Sequence, residues 1–523
     1  MRLQALRNKA SGKQQIAESK SLPAPVKGWY VGAPLSEPPP GTAYVMDNAF
    51  PQLDYVRARA GCVPYATAIP GALAVSSLMP WTDGINPKMF AASNGSIYDV
   101  SSLGPVGVAA VSGLTNSNFQ FIQFSGTGGQ FLMAANGYDP VQLFDGSAWG
   151  TTPAITGLTG NPLSALWAFK HRVYGVERGT LNAWYLPVDS IGGAATVFPL
   201  EALFTKGGYL VAGGTWALPT VNGLLESCVF VTSEGEVAVF TGSYPGGTDW
   251  GQQGVYKISK PLGLNCLMKA GGDIAIMTED GIVPLSKIET LDQIALQNAA
   301  ITLPIAPAWR DAVLARAGLS GWQIVLWPLQ SMAIVNLPKI NSIDSTQFIA
   351  NARTGAWCRY LGWDANCFAV FKNNLYFGTS DGRVMQGETG GADDGGIYTT
   401  TIFYSFTDLE TGPSRKIIKQ VRARMWTNFV VPPVISVNVD YDTSIPAPPS
   451  SSVSFQVGAK WGHANWGVDF WPTYIFKLQD WVCVPAEGSV VAPIVQMSFS
   501  STTAPDMRLT SLDLIYEAGN EIG

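Results

Sequence analysis

The sequence predicts an all-β protein: a β-propeller of about six blades with an appended β-sandwich-like C-terminal domain. Two observations carry this reading. A Gly-centred turn between short β-type runs recurs through the middle of the chain, at about the 40–50 residue period of a four-stranded blade. The composition suits such a repeat, with 56 Gly and 35 Pro among 523 residues and only 13% charged, about half the share of an ordinary soluble domain. With 47% hydrophobic residues the chain can build a large core, which excludes disorder. It has few charges with which to cover its exterior, and a permanent assembly is the simplest cover.

The elements follow in order. Residues 1–53 read as an N-terminal arm and a Pro-rich extended segment. Residues 1–20 carry Arg2, Arg7, Lys9, Lys13 and Lys20 with few large apolar positions, and Pro23, Pro25, Pro34 and Pro38-Pro39-Pro40-Gly41 then forbid a helix. The propeller is assigned to 54–395. Its turn glycines are Gly95, Gly137, Gly179, Gly235, Gly281 and Gly382, at intervals of 42, 42, 56, 46 and 101. Asn, Asp or Glu precedes most of them, as a type I′ turn with two positive φ angles prefers. The long interval leaves room for a unit between 320 and 360, where 324–327 and 332–335 read as strands and 348–360 as a hairpin. Six blades fit this count, with five or seven also compatible. Residues 287–317 interrupt the period, and 291–301 read as a short helix. Residues 396–523 form the C-terminal β-domain, with 434–441 an alternating strand and a Pro/Ser-rich loop after it.

Function classes narrow by exclusion. A net charge of −6 excludes a basic coat for nucleic acid. Two histidines, His171 and His463, stand against His-rich metal sites and a Ser-His-Asp arrangement. The six cysteines (Cys62, Cys228, Cys266, Cys358, Cys367, Cys483) show no metal-finger spacing and read as core thiols, with Cys358 and Cys367 the pair to consider if a bridge forms. No Walker loop, G-x-S-x-G or H-E-x-x-H is present. The reading is therefore no enzyme, with no catalytic, cofactor-binding or metal residues and no cofactor. A secretory signal and an apolar run of about 20 residues are both missing, so no membrane span is expected and synthesis is placed in a cytoplasm.

Two clusters remain as candidate contacts. Arg415, Lys416, Lys419, Arg422 and Arg424 form the one dense basic stretch. As a strand, it would point Val421, Ala423 and Met425 inward and Arg422 and Arg424 outward. Those cations would line a solvated face, meet an acidic partner or touch DNA phosphates. Trp461, Trp466, Trp471 and Trp481 crowd together with Phe470, Tyr474 and Phe476. They are candidate interface aromatics, or a stacking platform for sugars in a propeller lectin or receptor-binding module.

The N-terminal segment adds a resemblance. Leu22-Pro23-Ala24-Pro25-Val26-Lys27-Gly28-Trp29 is followed by the Pro-rich run, then Asp47-Asn48-Ala49-Phe50-Pro51, then Val56-Arg57-Ala58-Arg59-Ala60-Gly61. This order resembles the opening of the tail nozzle proteins (tail tubular protein B, or tail hub) of short-tailed bacteriophages. Lys27 stands where Gly is common in that family, and Tyr30 where Asn is usual. The resemblance implies a structural virion protein in the tail, assembled in the host cytoplasm as a homohexameric ring below the portal and its adaptor. Such a ring extends the DNA channel, retains the genome and lets it pass on ejection. Partners implied are the tail adaptor protein, a tail fibre or spike, and double-stranded DNA in the lumen. A lumen that is not basic lets DNA slide, because it offers few phosphate contacts.

Overall fold

A computed structural model describes residues 17–126, 128–220, 223–341, 344–412, 414–428, 433–450, 475–478 and 480–518. The protein is all-β, with three short α-helices among the described residues (Leu285–Ile288, Gln293–Ala299 and Ala306–Arg316), in the segment where the sequence predicts one over 291–301.

Seven antiparallel meander units follow one another between residues 75 and 387. Their first strands are Val75–Trp81, Gln120–Gly126, Leu163–Phe169, Leu210–Thr220, Leu267–Ala270, Gln323–Trp327 and Cys367–Phe371. Five of the six predicted turn glycines lie between the second and third strands of a unit, Gly281 opens the third strand of its own, and all six have positive φ. The sixth unit, Gln323–Trp327 to Trp357–Leu361, crosses the corresponding gap through 337–345, which holds no glycine. It therefore shows in the spacing only as the doubled interval of 101 between Gly281 and Gly382.

First strands of neighbouring units lie side by side, except that Leu210–Thr220 meets the second strand of the fifth unit, and Cys367–Phe371 lies against Val75–Trp81. Side chains tie most of these junctions to backbone. Phe119 N donates to Ser77 Oγ at 2.8 Å and Leu166 N to Gln120 Oε1 at 2.6 Å. Thr215 Oγ1 donates to Ala168 O at 2.5 Å. Gln323 accepts from Phe368 N at 2.7 Å and donates to Phe368 O at 3.0 Å. Cys367 Sγ reaches Val75 O at 3.5 Å. Between the fourth and fifth units the tie joins two side chains, Trp216 Nε1 and Asp273 Oδ1, at 3.0 Å.

The N-terminal residues are woven into the same sheets. Glu18–Pro23 pairs with Met507–Ala518. Ala43–Asp47 runs between Trp357–Leu361 and Tyr398–Tyr404, inside an eight-stranded sheet. The hairpin Ala49–Pro51 and Val56–Ala58 joins Met507–Ala518, and Cys62–Thr67 forms the fourth strand of the seventh unit. The described part of the predicted arm thus includes paired strands of the same chain. Strands on either side of residue 396 also share a sheet. In the C-terminal region, Ile402, Val495, Met497 and Phe499 from one sheet share a core with Ile418, Val421, Ala423, Met425, Leu512 and Leu514 from another. All six cysteines are free thiols, Cys358 and Cys367 included. Burial pushes Cys62, Cys266 and Cys367 up to about 12, so these thiols stay protonated. His171 is an exposed side chain 3.3 Å from Asp189, and His463 lies outside the described residues.

Candidate functional site

The segment that carries the family resemblance folds into a buried polar clasp. Asn48 adopts a positive φ of 54°, which Asn tolerates better than most residues, and this turns its amide inward. Its Oδ1 accepts from Arg59 Nε at 2.8 Å and from Leu361 N at 2.8 Å, while its Nδ2 donates to Thr399 O at 2.8 Å. Arg59 is fully buried. Its other four N–H groups reach Ala60 O, Leu361 O and both oxygens of Asp393, at 2.5–3.0 Å. All five guanidinium donors are therefore used, which is the condition for burying an arginine without a large penalty. Tyr398 stacks under it at 4.0 Å and donates its hydroxyl to Arg59 O at 2.6 Å.

Flanking pairs extend the clasp. Arg57 meets Glu388 at 2.9 Å, and Glu388 accepts from Tyr360 at 2.5 Å. Asp47 takes a two-pronged contact from Arg359 at 2.6 and 2.9 Å. Burial pushes the Asp47 carboxyl up, and Arg359 only partly offsets this. Gly61 is required by space, since a Cβ there would lie 2.0 Å from Ala392 O. These partners sit roughly 300 residues along the chain from the motif. The charged groups of the motif are each held by a distant partner of opposite charge, so the clasp ties the N-terminal segment to strands near 359–398.

The basic stretch is the strand Lys416–Thr427 and the residue before it. Val421, Ala423 and Met425 are buried and Arg422 and Arg424 face outward, as the alternation predicts. Each cation has a partner within the chain. Arg415 pairs with Glu487 at 2.9 Å and Lys419 with Glu517 at 3.1 Å. Arg422 and Arg424 share Asp513, each at 2.7 Å. Burial opposes the Asp513 charge, but hydrogen bonds from Arg422, Ser21 and Arg424 outweigh it and hold this carboxyl below its usual range. Lys416 is fully buried and donates to Gly412 O, Ser414 O and Ser489 O at 2.6–2.8 Å. It caps three carbonyls and faces no solvent.

Of the four predicted interface tryptophans, Trp461, Trp466 and Trp471 lie outside the described residues. Trp481 is half-buried, with the Arg422 guanidinium over its ring at 4.4 Å. No group of metal-ligating side chains occurs among the described residues, and no helix there is long and apolar enough to cross a membrane.

Sequence reasoning missed a groove of about 400 Å³ where the Pro-rich segment meets the helical insert. Trp29, Pro34, Tyr44, Pro307 and Phe406 line it, with Asp311 and Arg359 as its charged groups. The Pro and aromatic residues were visible in the sequence. Nothing in their spacing showed that residues near 30 and near 307 would meet.

No family model matches the chain, and no curated protein matches it. Among solved structures it is similar to BBS1N from a complex with ARL6DN, at 8% identity over 63% of this chain and 97% of that one, with a TM-score of 0.39. It is also similar to the computationally designed Ika8 protein, at 12% identity over 66% of this chain and 96% of that one, with a TM-score of 0.32. At these scores neither likeness bears on function.

Proposed function

We propose that the chain is a structural subunit of a short-tailed bacteriophage tail: a nozzle that forms a ring below the portal and adaptor. On this reading the ring extends the DNA channel, retains the genome and lets it pass on ejection. The observation that carries the proposal is the ordered motif over residues 22–61. Its polar residues Asp47, Asn48, Arg57 and Arg59 are all engaged in the buried clasp, so the motif is one that a shared fold would keep.

The architecture proposed with it is a seven-bladed β-propeller rather than one of six blades. Seven successive meander units and the contact of the seventh with the first support this. So does Cys62–Thr67, an N-terminal strand that completes the last unit. The two C-terminal sheets that share a core support the sandwich-like domain.

The pairing of the basic stretch bears on DNA. Its cations are satisfied by carboxylates or carbonyls of the same chain, so they offer few free charges for phosphates. A conduit that passes DNA without gripping it needs that economy. The lectin alternative gains nothing from the described residues, because Arg422 covers Trp481.

Binding to the adaptor tests the proposal. Purified chain mixed with assembled adaptor rings should co-sediment as a defined complex of six copies per ring. Free chain after mixing, together with saturable binding to an immobilised glycan, would overturn the nozzle reading in favour of the lectin.

A further inference from the structure

We infer that the N-terminal strand Glu18–Pro23 is exchanged between copies of this chain, each copy's strand completing the sheet of a neighbour. The inference goes beyond the nozzle reading and needs only that copies assemble.

The argument starts at the receiving edge. Met507–Ala518 has Lys416–Thr427 along one side. On its other side Val56–Ala58 covers only Arg508 and Leu509, and Glu18–Pro23 covers residues 511–516. Without that strand a six-residue edge would stand open above the buried Leu512 and Leu514. Open edges of this kind pair with other chains, so the position must be filled.

What fills it is held in a way that any copy could reproduce. None of the six side chains of Glu18–Pro23 is fully buried; Leu22 packs partly buried against the core, and the rest of the attachment is the backbone ladder and polar contacts. Tyr516 donates to Glu18 at 2.9 Å, Lys20 pairs with Glu410 at 2.6 Å, and Ala24 N donates to Thr510 O at 2.9 Å. A neighbouring copy presents the same groups at the same spacing. Exchange therefore replaces each of these bonds with an identical one, the condition under which swapping is inexpensive.

A hinge is also present. Lys27 and Trp29 are fixed to the body through Gly41 O and Trp357 O. Between them and the strand the chain reverses through two local bonds, Val26 N to Ala24 O at 2.8 Å and Gly28 N to Pro25 O at 3.0 Å. Pro23 and Pro25 bias Leu22 and Ala24 towards extended backbone, which keeps the strand extended in either form. The exchanged unit is thus the strand through Ala24, turning about 25–27. The recipient presents Glu410, with 83% of its side chain exposed, to Lys20 of the incoming strand.

The test uses two cross-links on the full chain. Isotope-labelled and unlabelled protein are mixed, concentrated and treated with a carbodiimide that joins Lys20 to Glu410. In parallel, Ser19→Cys with Ile515→Cys in a Cys483→Ser background sets two thiols opposite each other across the ladder, within disulfide range. Exchange predicts covalent species of two or more copies and hybrid labelled–unlabelled cross-linked peptides, with the disulfide species collapsing to single chains on reduction. Cross-links confined to single chains would overturn it. If those single-chain links occur within assembled rings, exchange fails and the nozzle reading stands. If they occur in a monomer that also ignores the adaptor, both fail.

Discussion

Arg59 is the residue on which the N-terminal motif turns. Removing its head by Arg59→Met leaves Asp393 and the Asn48 amide without their main donors in a buried setting. Breaking a buried pair from one side costs about 3–5 kcal/mol, so urea denaturation should show a loss of that order. A loss under about 1 kcal/mol would mean that the clasp carries little of the fold. Asp513 gives a test by pH. Its carboxyl lies below the usual range in the folded chain because Arg422, Ser21 and Arg424 bind its charged form. The stability it supplies is complete above the ordinary Asp value of about 3.9 and is lost as pH falls through the lower folded value. The deficit of Asp513→Asn relative to the native chain should therefore be full at neutral pH and shrink in acid. A deficit that stays constant with pH would contradict this assignment. Lys416 and Arg422 read alike in the sequence as cations of one stretch, yet one is a buried cap and the other an outward ion pair. The sequence showed their charge, but their partners lie as far off as Ser489 and Asp513.

At the scale of elements, legibility followed locality. Hairpins that turn on a single glycine were visible because the turn itself needs positive φ, and Gly95, Gly137, Gly179, Gly235, Gly281 and Gly382 all have it. The sixth unit turns without glycine and was placed only by its β-type runs. Strands that pair across the whole chain could not be read. Ala43–Asp47 and Cys62–Thr67 sit in sheets completed by residues roughly 320–360 positions later, and no period connects them. The junctions between units depend on side chains that bond to the neighbour's backbone, Gln323 most directly. Gln323→Leu leaves Phe368 N and O without that partner, at a cost of about 1–3 kcal/mol. Hydrogen exchange should quicken at Phe368 before it does in Leu163–Phe169. Unchanged protection at Phe368 would show that the tie is dispensable. The paired arginines also constrain any test of DNA contact. Arg422→Ala with Arg424→Ala strips Asp513 of both its cations, so a loss of assembly counts as a binding effect only if the denaturation midpoint is preserved.

At the scale of the molecule, the low charge content has a visible counterpart. Leu53, Ile85, Leu103, Val108, Ile294 and Leu314 are each at least 74% exposed in the single chain, and few charged residues are available to surround them. On the nozzle reading much of this apolar surface belongs to contacts between copies, as in obligate interfaces. The all-β character was legible from composition and period. The weave of the N-terminal segment through the C-terminal sheets was not, because it depends on pairing across nearly the full length of the chain. The central claim is a ring that conducts DNA. Electron microscopy of the chain assembled on its adaptor tests it most directly: the account predicts a six-fold ring of copies around an open channel continuous with the adaptor's. A discrete monomer beside unoccupied adaptor rings would contradict it.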